Sequence, residues 1–143
     1  MEKFREIGLS EQTIRALSAK GFEEPTEIQA RTIPLLLEGQ SNVIAQAQTG
    51  TGKTAAFGLV FMERLAESAS HVQAIVLTPT RELALQVADE IASLRGEKRL
   101  RVAAVYGGQS MSLQLRQLKQ GVDIVIGTPG RALDHPKSGT LNI

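Results

Sequence analysis

The chain has 143 residues, 42% of them hydrophobic, with 16 Lys and Arg against 15 Asp and Glu for a net charge of +1. A domain of that length buries about 70% of its unfolded surface, enough for one core, and the balanced charge gives no bulk electrostatic argument for nucleic acid or membrane. The absence of Cys excludes disulfides, thiolate zinc sites and a cysteine nucleophile, and suits a reducing, cytoplasmic compartment.

Ser10 reads as the cap of a first helix, with Leu9 and Ile14 spaced as a hydrophobic staple and Gly21 ending it. Thr26 opens a second helix with Gln29 three residues on, the spacing of a capping box, and Ile28, Leu35 and Leu36 supply its apolar side before Gly39. Residues 42–46 (NVIAQ) read as a short buried strand leading into a Gly-rich turn and a helix carrying Phe57, Phe61 and Leu65. The pattern repeats as a strand over 74–78, a helix with Leu83, Val87, Ile91 and Leu94, a strand over 102–106, a helix with Met111, Leu115 and Leu118, and a fourth strand from Asp123. Apolar strands without polar alternation, each followed by an amphipathic helix, predict an α/β fold with a parallel sheet and helices on both faces. Ligands then belong at the carboxyl ends of the strands. His71 and His135 lie too far apart to suggest a metal site, and no apolar run approaches the ~20 residues of a membrane span. Glu2 and Lys3 follow Met1 with no signal-peptide core, so the chain reads as soluble, with no membrane partner.

The segment AQTGTGKT, residues 47–54, falls between predicted strand and predicted helix, where a phosphate-binding loop must lie. Gly50 and Gly52 let backbone amides turn toward phosphate oxygens, and the starting helix favours an anion. Lys53 is placed for the β- and γ-phosphates of ATP, and the Thr54 hydroxyl for Mg²⁺. Ala47 departs from the general loop pattern, which begins with Gly.

Thr78-Pro79-Thr80-Arg81 and Thr128-Pro129-Gly130-Arg131 share the pattern TPxRxL, and each follows a strand and opens a helix. An Arg in the first turn opposes the helix dipole, which suggests an anion held there. Two such turns on one sheet edge, with Gly107-Gly108 as a third close backbone approach, suit successive phosphates of a nucleic-acid strand; solvated arginines on ordinary turns fit the spacing too. Arg95, Lys98, Arg99 and Arg101 surround a predicted helix end at Gly96 and read as a solvated helix cap.

Taken in order, these motifs resemble DEAD-box RNA helicases from Phe4 to Asn142. Residues 21–29 (GFEEPTEIQ) are similar to the family's Q motif, and Phe4 stands where the family has its isolated aromatic. The resemblance implies that Phe4 stacks on adenine and Gln29 hydrogen-bonds its edge, giving ATP preference over GTP. AQTGTGKT is similar to motif I, Ala47 included, which implies ATP contacts from Gln48, Thr49, Gly50, Thr51, Gly52, Lys53 and Thr54, with Lys53 and Thr54 as the catalytic pair. PTRELA resembles motif Ia, the Gly107-Gly108 pair the family's GG, and TPGR motif Ib. These imply RNA-backbone contacts from Pro79, Thr80, Arg81, Gly107, Gly108, Thr128, Gly130 and Arg131.

On this resemblance residues 1–39 form a Q-motif helical segment and residues 40–143 part of a RecA-like domain, incomplete at its C-terminal end. Val60 and Pro136 depart from the family pattern. The Asp-Glu-Ala-Asp strand, the SAT strand and a second RecA-like domain are expected in the parent protein. In the family the first two strands lie between the phosphate-loop strand and the motif Ia strand, so residues 42–46 are not expected to pair with residues 74–78. The implied activity is ATP-dependent RNA unwinding or remodelling. Another P-loop ATPase, or a nucleotide- and RNA-binding fragment without turnover, are the alternatives.

Overall fold

The computed structural model of the protein describes residues 1–48, 50, 52–107, 116, 118 and 120–131. Its elements in chain order are α1 (Glu2–Glu6), α2 (Glu11–Ala19), α3 (Glu27–Glu38), α4 (Lys53–Arg64), β1 (Ala74–Leu77), α5 (Arg81–Leu94), β2 (Val102–Val105) and β3 (Ile124–Gly127). They form two compact units: Met1–Arg64 with Ser93–Lys98, and Leu65–Ala92 with Arg99–Ile143.

In the first unit the local signals hold. Ser10 caps α2 by accepting from the Thr13 amide, and Leu9 and Ile14 are both buried. Thr26 and Gln29 form the capping box of α3, which ends at Gly39. The helix faces differ from expectation. α3 buries Gln29, Thr32 and Ile33, while Ile28 and Leu36 are half-buried and Leu35 is exposed. α4 buries Ala55, Ala56, Leu59, Val60 and Met62. Phe57 and Phe61 are only half-buried, their ring centroids 6.0 Å apart, and Leu65 lies beyond the helix. α4 is apolar nearly all round, so periodicity does not select its inner face, which mixes the small Ala55 and Ala56 with Leu59, Val60 and Met62.

The larger correction concerns residues 42–46, which form no strand. Ile44 is fully exposed and Val43 only half-buried. An apolar run of this kind becomes a strand only when neighbouring strands take its amides and carbonyls, and among the described residues none does.

The second unit contains a three-stranded sheet, parallel as the sequence predicts, in the order β1-β3-β2. Ala74 and Val102 both pair with Ile124, and Leu77 and Val105 both pair with Gly127, so the three strands begin and end level. β3 is central and buried throughout, whereas the edge strand β1 leaves Ile75 and Leu77 exposed. α5 buries Ala84, Val87, Ile91 and Leu94, with Ala84 taking the inward position expected of Leu83. Leu118 is helical and buried, with Ala103, Val105, Val122 and Val125; Met111 and Leu115 lie outside the described residues.

A buried carboxylate fixes the start of the sheet. Asp123, just before β3, accepts from the Arg101 amide at 2.8 Å and guanidinium Nε at 3.1 Å, and from Gln73 Nε2 at 3.1 Å. Gln73 precedes β1 and Arg101 precedes β2, so one side chain ties the entrances of all three strands. Burial pushes the Asp123 carboxyl up, but the hydrogen bonds from Arg101 and Gln73 outweigh it and hold it below the usual carboxylate range.

Candidate nucleotide and nucleic-acid sites

The candidate nucleotide site lies wholly in the first unit, where α4 begins. Lys53 is the first residue of α4 and Thr54 the second. The first amides of a helix have no partner within it, so this terminus presents donors and a positive dipole end to an anion. Lys53 is exposed and donates from Nζ to the Ala47 carbonyl at 2.6 Å, closing the loop on itself. Gly50 is exposed, Gly52 and Thr54 are half-buried, and Gln48 is exposed; Thr49 and Thr51 lie outside the described residues.

Gly52 adopts φ 90°, and a Cβ there would stand 2.5 Å from Gln29 Nε2 and 3.0 Å from Thr26 Oγ1. Only glycine lets the loop approach α3 this closely. The approach is used: Gln29, fully buried, accepts from the Thr26 amide through Oε1 at 3.0 Å and donates from Nε2 to the Gly52 carbonyl at 3.3 Å. The capping residue of α3 is thus also the link between the Q-like segment and the phosphate loop. Sequence spacing exposes the cap, which is local, but not the link, which joins residues far apart in the chain. Phe4 is fully buried in α1.

A cavity of about 480 Å³ adjoins the loop, lined by Thr26, Ile28, Arg31, Ala47 and Gln48 among others. That is the size of a small-molecule site. The sequence did not single out Arg31; its signal is a cation one turn after Glu27 on the exposed side of a capped helix. The donor set suits a polyphosphate: one ammonium, that of Lys53, at a helix N-terminus. For Mg²⁺ the Thr54 hydroxyl, at the second position of α4, offers a neutral oxygen. No group of three or more His, Asp or Glu side chains able to hold a metal occurs among the described residues.

The second unit carries the remaining motif residues. Because its strands run parallel and end level, the turns after β1, β3 and β2 share one sheet edge. Thr78 is buried, its amide donating to the Gly127 carbonyl, while the Thr128 amide donates to Val105. Thr80 caps α5 by accepting from the Leu83 amide at 3.2 Å. Arg81 opens α5 with its side chain 54% exposed, 3.7 Å from Glu82. Pro79, Gly107 and Gly130 are exposed, and Thr128 and Arg131 half-buried. Gly108 lies outside the described residues.

Two side chains of the basic cluster, Lys98 and Arg101, have structural partners. Lys98 Nζ meets the Met62 carbonyl, the Arg99 amide donates to Glu67, and Arg101 is held by Asp123. The sequence marks Asp123 only as the start of a strand, although a carboxylate opening an otherwise apolar strand is a visible anomaly.

The family model described as "DEAD/DEAH box helicase" matches residues 26–142. The chain belongs to the DEAD/DEAH box helicase family. Among the curated relatives of this helicase chain, a probable ATP-dependent RNA helicase of Methanocaldococcus jannaschii is 51% identical over 140 residues, covering 98% of this chain and 38% of the relative. The ATP-dependent RNA helicase CshA of Listeria monocytogenes is 52% identical over 143 residues, covering 100% of this chain and 27% of the relative. The chain therefore spans only about a quarter to two fifths of these relatives. The crystal structure of a DEAD box protein from Methanococcus jannaschii superposes with a TM-score of 0.92 at 51% identity, over 98% of this chain and 38% of that one. S. cerevisiae Dbp5 bound to RNA and ADP BeF3 matches with a TM-score of 0.86 at 31% identity, over 100% of this chain and 36% of that one. The parallel sheet with its helices is thus the RecA-like fold of this family.

Proposed function

We propose that this chain is the nucleotide-binding front of an ATP-dependent RNA helicase that couples ATP hydrolysis to unwinding or remodelling of RNA. The observation that carries the reading is the Gln29–Gly52 bond, which joins a base-reading candidate to a phosphate loop at a helix N-terminus. A plain phosphate loop has no need of a buried glutamine at its back. Lys53 exchanges the Ala47 carbonyl for the β- and γ-phosphates, and the amides at the start of α4, with residues 48–52, cradle them. Thr54 supplies a hydroxyl ligand for Mg²⁺, which when bound offsets charge on the phosphate oxygens.

Gln29 turns its amide to the adenine edge, and Phe4 stacks on the base once α1 shifts to offer a ring face. The edge formed by Pro79, Thr80, Arg81, Gly107, Gly108, Thr128, Gly130 and Arg131 takes the RNA backbone without reading sequence. A similar chain, S. cerevisiae Dbp5, has been captured with RNA and ADP BeF3, which supports both ligands. Residues 40–143 are read as part of the first RecA-like domain, with further strands and a second domain completing the parent protein. The cysteine-free composition suits the cytoplasm, and among the described residues no helix is long and apolar enough to cross a membrane.

The deciding measurement is ATP hydrolysis by the full-length protein with and without single-stranded RNA. Stimulation by RNA, absent in Lys53→Ala, supports a helicase. Hydrolysis indifferent to RNA points to another P-loop ATPase, and binding of both ligands without turnover points to a binding module.

A further inference from the structure

The two helices of the nucleotide site, α3 and α4, are tied to each other at both ends. At their N-terminal ends the tie is Gln29 Nε2 to the Gly52 carbonyl. At their C-terminal ends Arg64, the last residue of α4, donates from Nη1 to the Leu37 carbonyl at 2.9 Å and to the Leu36 carbonyl at 3.4 Å. The last four carbonyls of a helix have no partner within it, and a cation there meets the negative end of the dipole. The seat is shaped for this group. Gly39 closes α3 at φ 68°, and a Cβ there would lie 2.5 Å from Arg64 Nη1.

The ties differ in what ligand binding does to them. If Gln29 reads adenine, as proposed above and as this step assumes, its amide, fully buried, must move to meet the base, and that movement loosens its bonds to Thr26 and Gly52. The tie at the ligand end is then loosened, while the Arg64 tie is untouched. We infer that Arg64 is a positioning residue for base selection: it holds the far ends of α3 and α4 together, so that Gln29 stays aimed at the base while the loop on α4 holds the triphosphate.

The test uses the full-length protein and measures ATP, GTP and tripolyphosphate in competition with a fluorescent nucleotide; tripolyphosphate probes the loop without a base. Arg64→Met keeps the aliphatic stem and removes the donor. It should lower the ATP-over-GTP preference roughly two- to fivefold, the range for an exposed cation at a helix end, and leave tripolyphosphate affinity unchanged. Arg64→Lys, which restores one donor and the charge, should recover part of the preference. An unchanged preference in Arg64→Met overturns the inference. A parallel loss of all three ligands also overturns it, because that marks a general structural role. Gln29→Ala in the same assay separates the two levels: if it leaves the preference intact, base reading itself fails and this inference with it. If Gln29→Ala erases the preference while Arg64→Met keeps it, only the role of Arg64 fails.

Discussion

Lys53 and Asp123 are both held by hydrogen bonds, yet opposite consequences follow from removing them. Lys53 is exposed and bonded to a neighbouring loop carbonyl, so its loss costs the fold little. In the full-length protein Lys53→Ala should leave the melting temperature within a few degrees and lower ATP turnover by about a hundredfold or more, since Lys53 is the cation that the phosphate-loop segment 47–54 itself carries. Turnover within tenfold of wild type would remove Lys53 from the site. Asp123 is fully buried and partnered, so Asp123→Asn, which keeps the shape but not the charge, should cost about 2–4 kcal/mol of stability at neutral pH. The folded carboxyl sits below its unfolded pKa of about 3.9. Its contribution is therefore complete above that value and lost as pH falls through the folded pKa. Urea midpoints of wild type and Asp123→Asn should converge on acidification; a gap independent of pH would show that charge is not what the network uses.

At the scale of elements, the turns after β1 and β3 present Arg81 and Arg131 on one edge. Arg81→Ala and Arg131→Ala should each weaken single-strand binding equally across RNA sequences and flatten the salt slope by roughly 0.7, the value for one phosphate contact. A loss confined to certain sequences would instead mean base contact. Thr80 shows what was legible beforehand. A Thr before a helix was visible as motif chemistry, but its role in this structure is to cap α5. Capping at Ser10 and at Thr26 with Gln29 could be read directly, because every atom involved lies within one turn. The buried faces of α3 and α4 could not, because both helices are apolar on more than one side. The segment at 42–46 misled for a related reason: a strand is a relation between segments, and its own residues carry only half of it.

At the scale of the molecule, the three-stranded sheet and the phosphate loop belong to separate compact units, and each has an unmet requirement. Among the described residues no strand pairs with the outer edge of β1, where Ile75 and Leu77 are exposed, or with the apolar run before the loop. A polypeptide of these 143 residues alone should therefore unfold in urea with low cooperativity or self-associate at micromolar concentration. Sedimentation and denaturant titration together decide this; a monomer with one sharp transition would contradict it. The open run has a further use. Amides at Val43, Ile44 and Ala45 carry no strand bonds, and Ile44 is wholly solvated, so they should take up deuterium within seconds in this chain. Wherever a strand comes to lie against them, that uptake slows by orders of magnitude, which makes three adjacent amides beside the phosphate loop a mass-spectrometric clock for completion of the sheet.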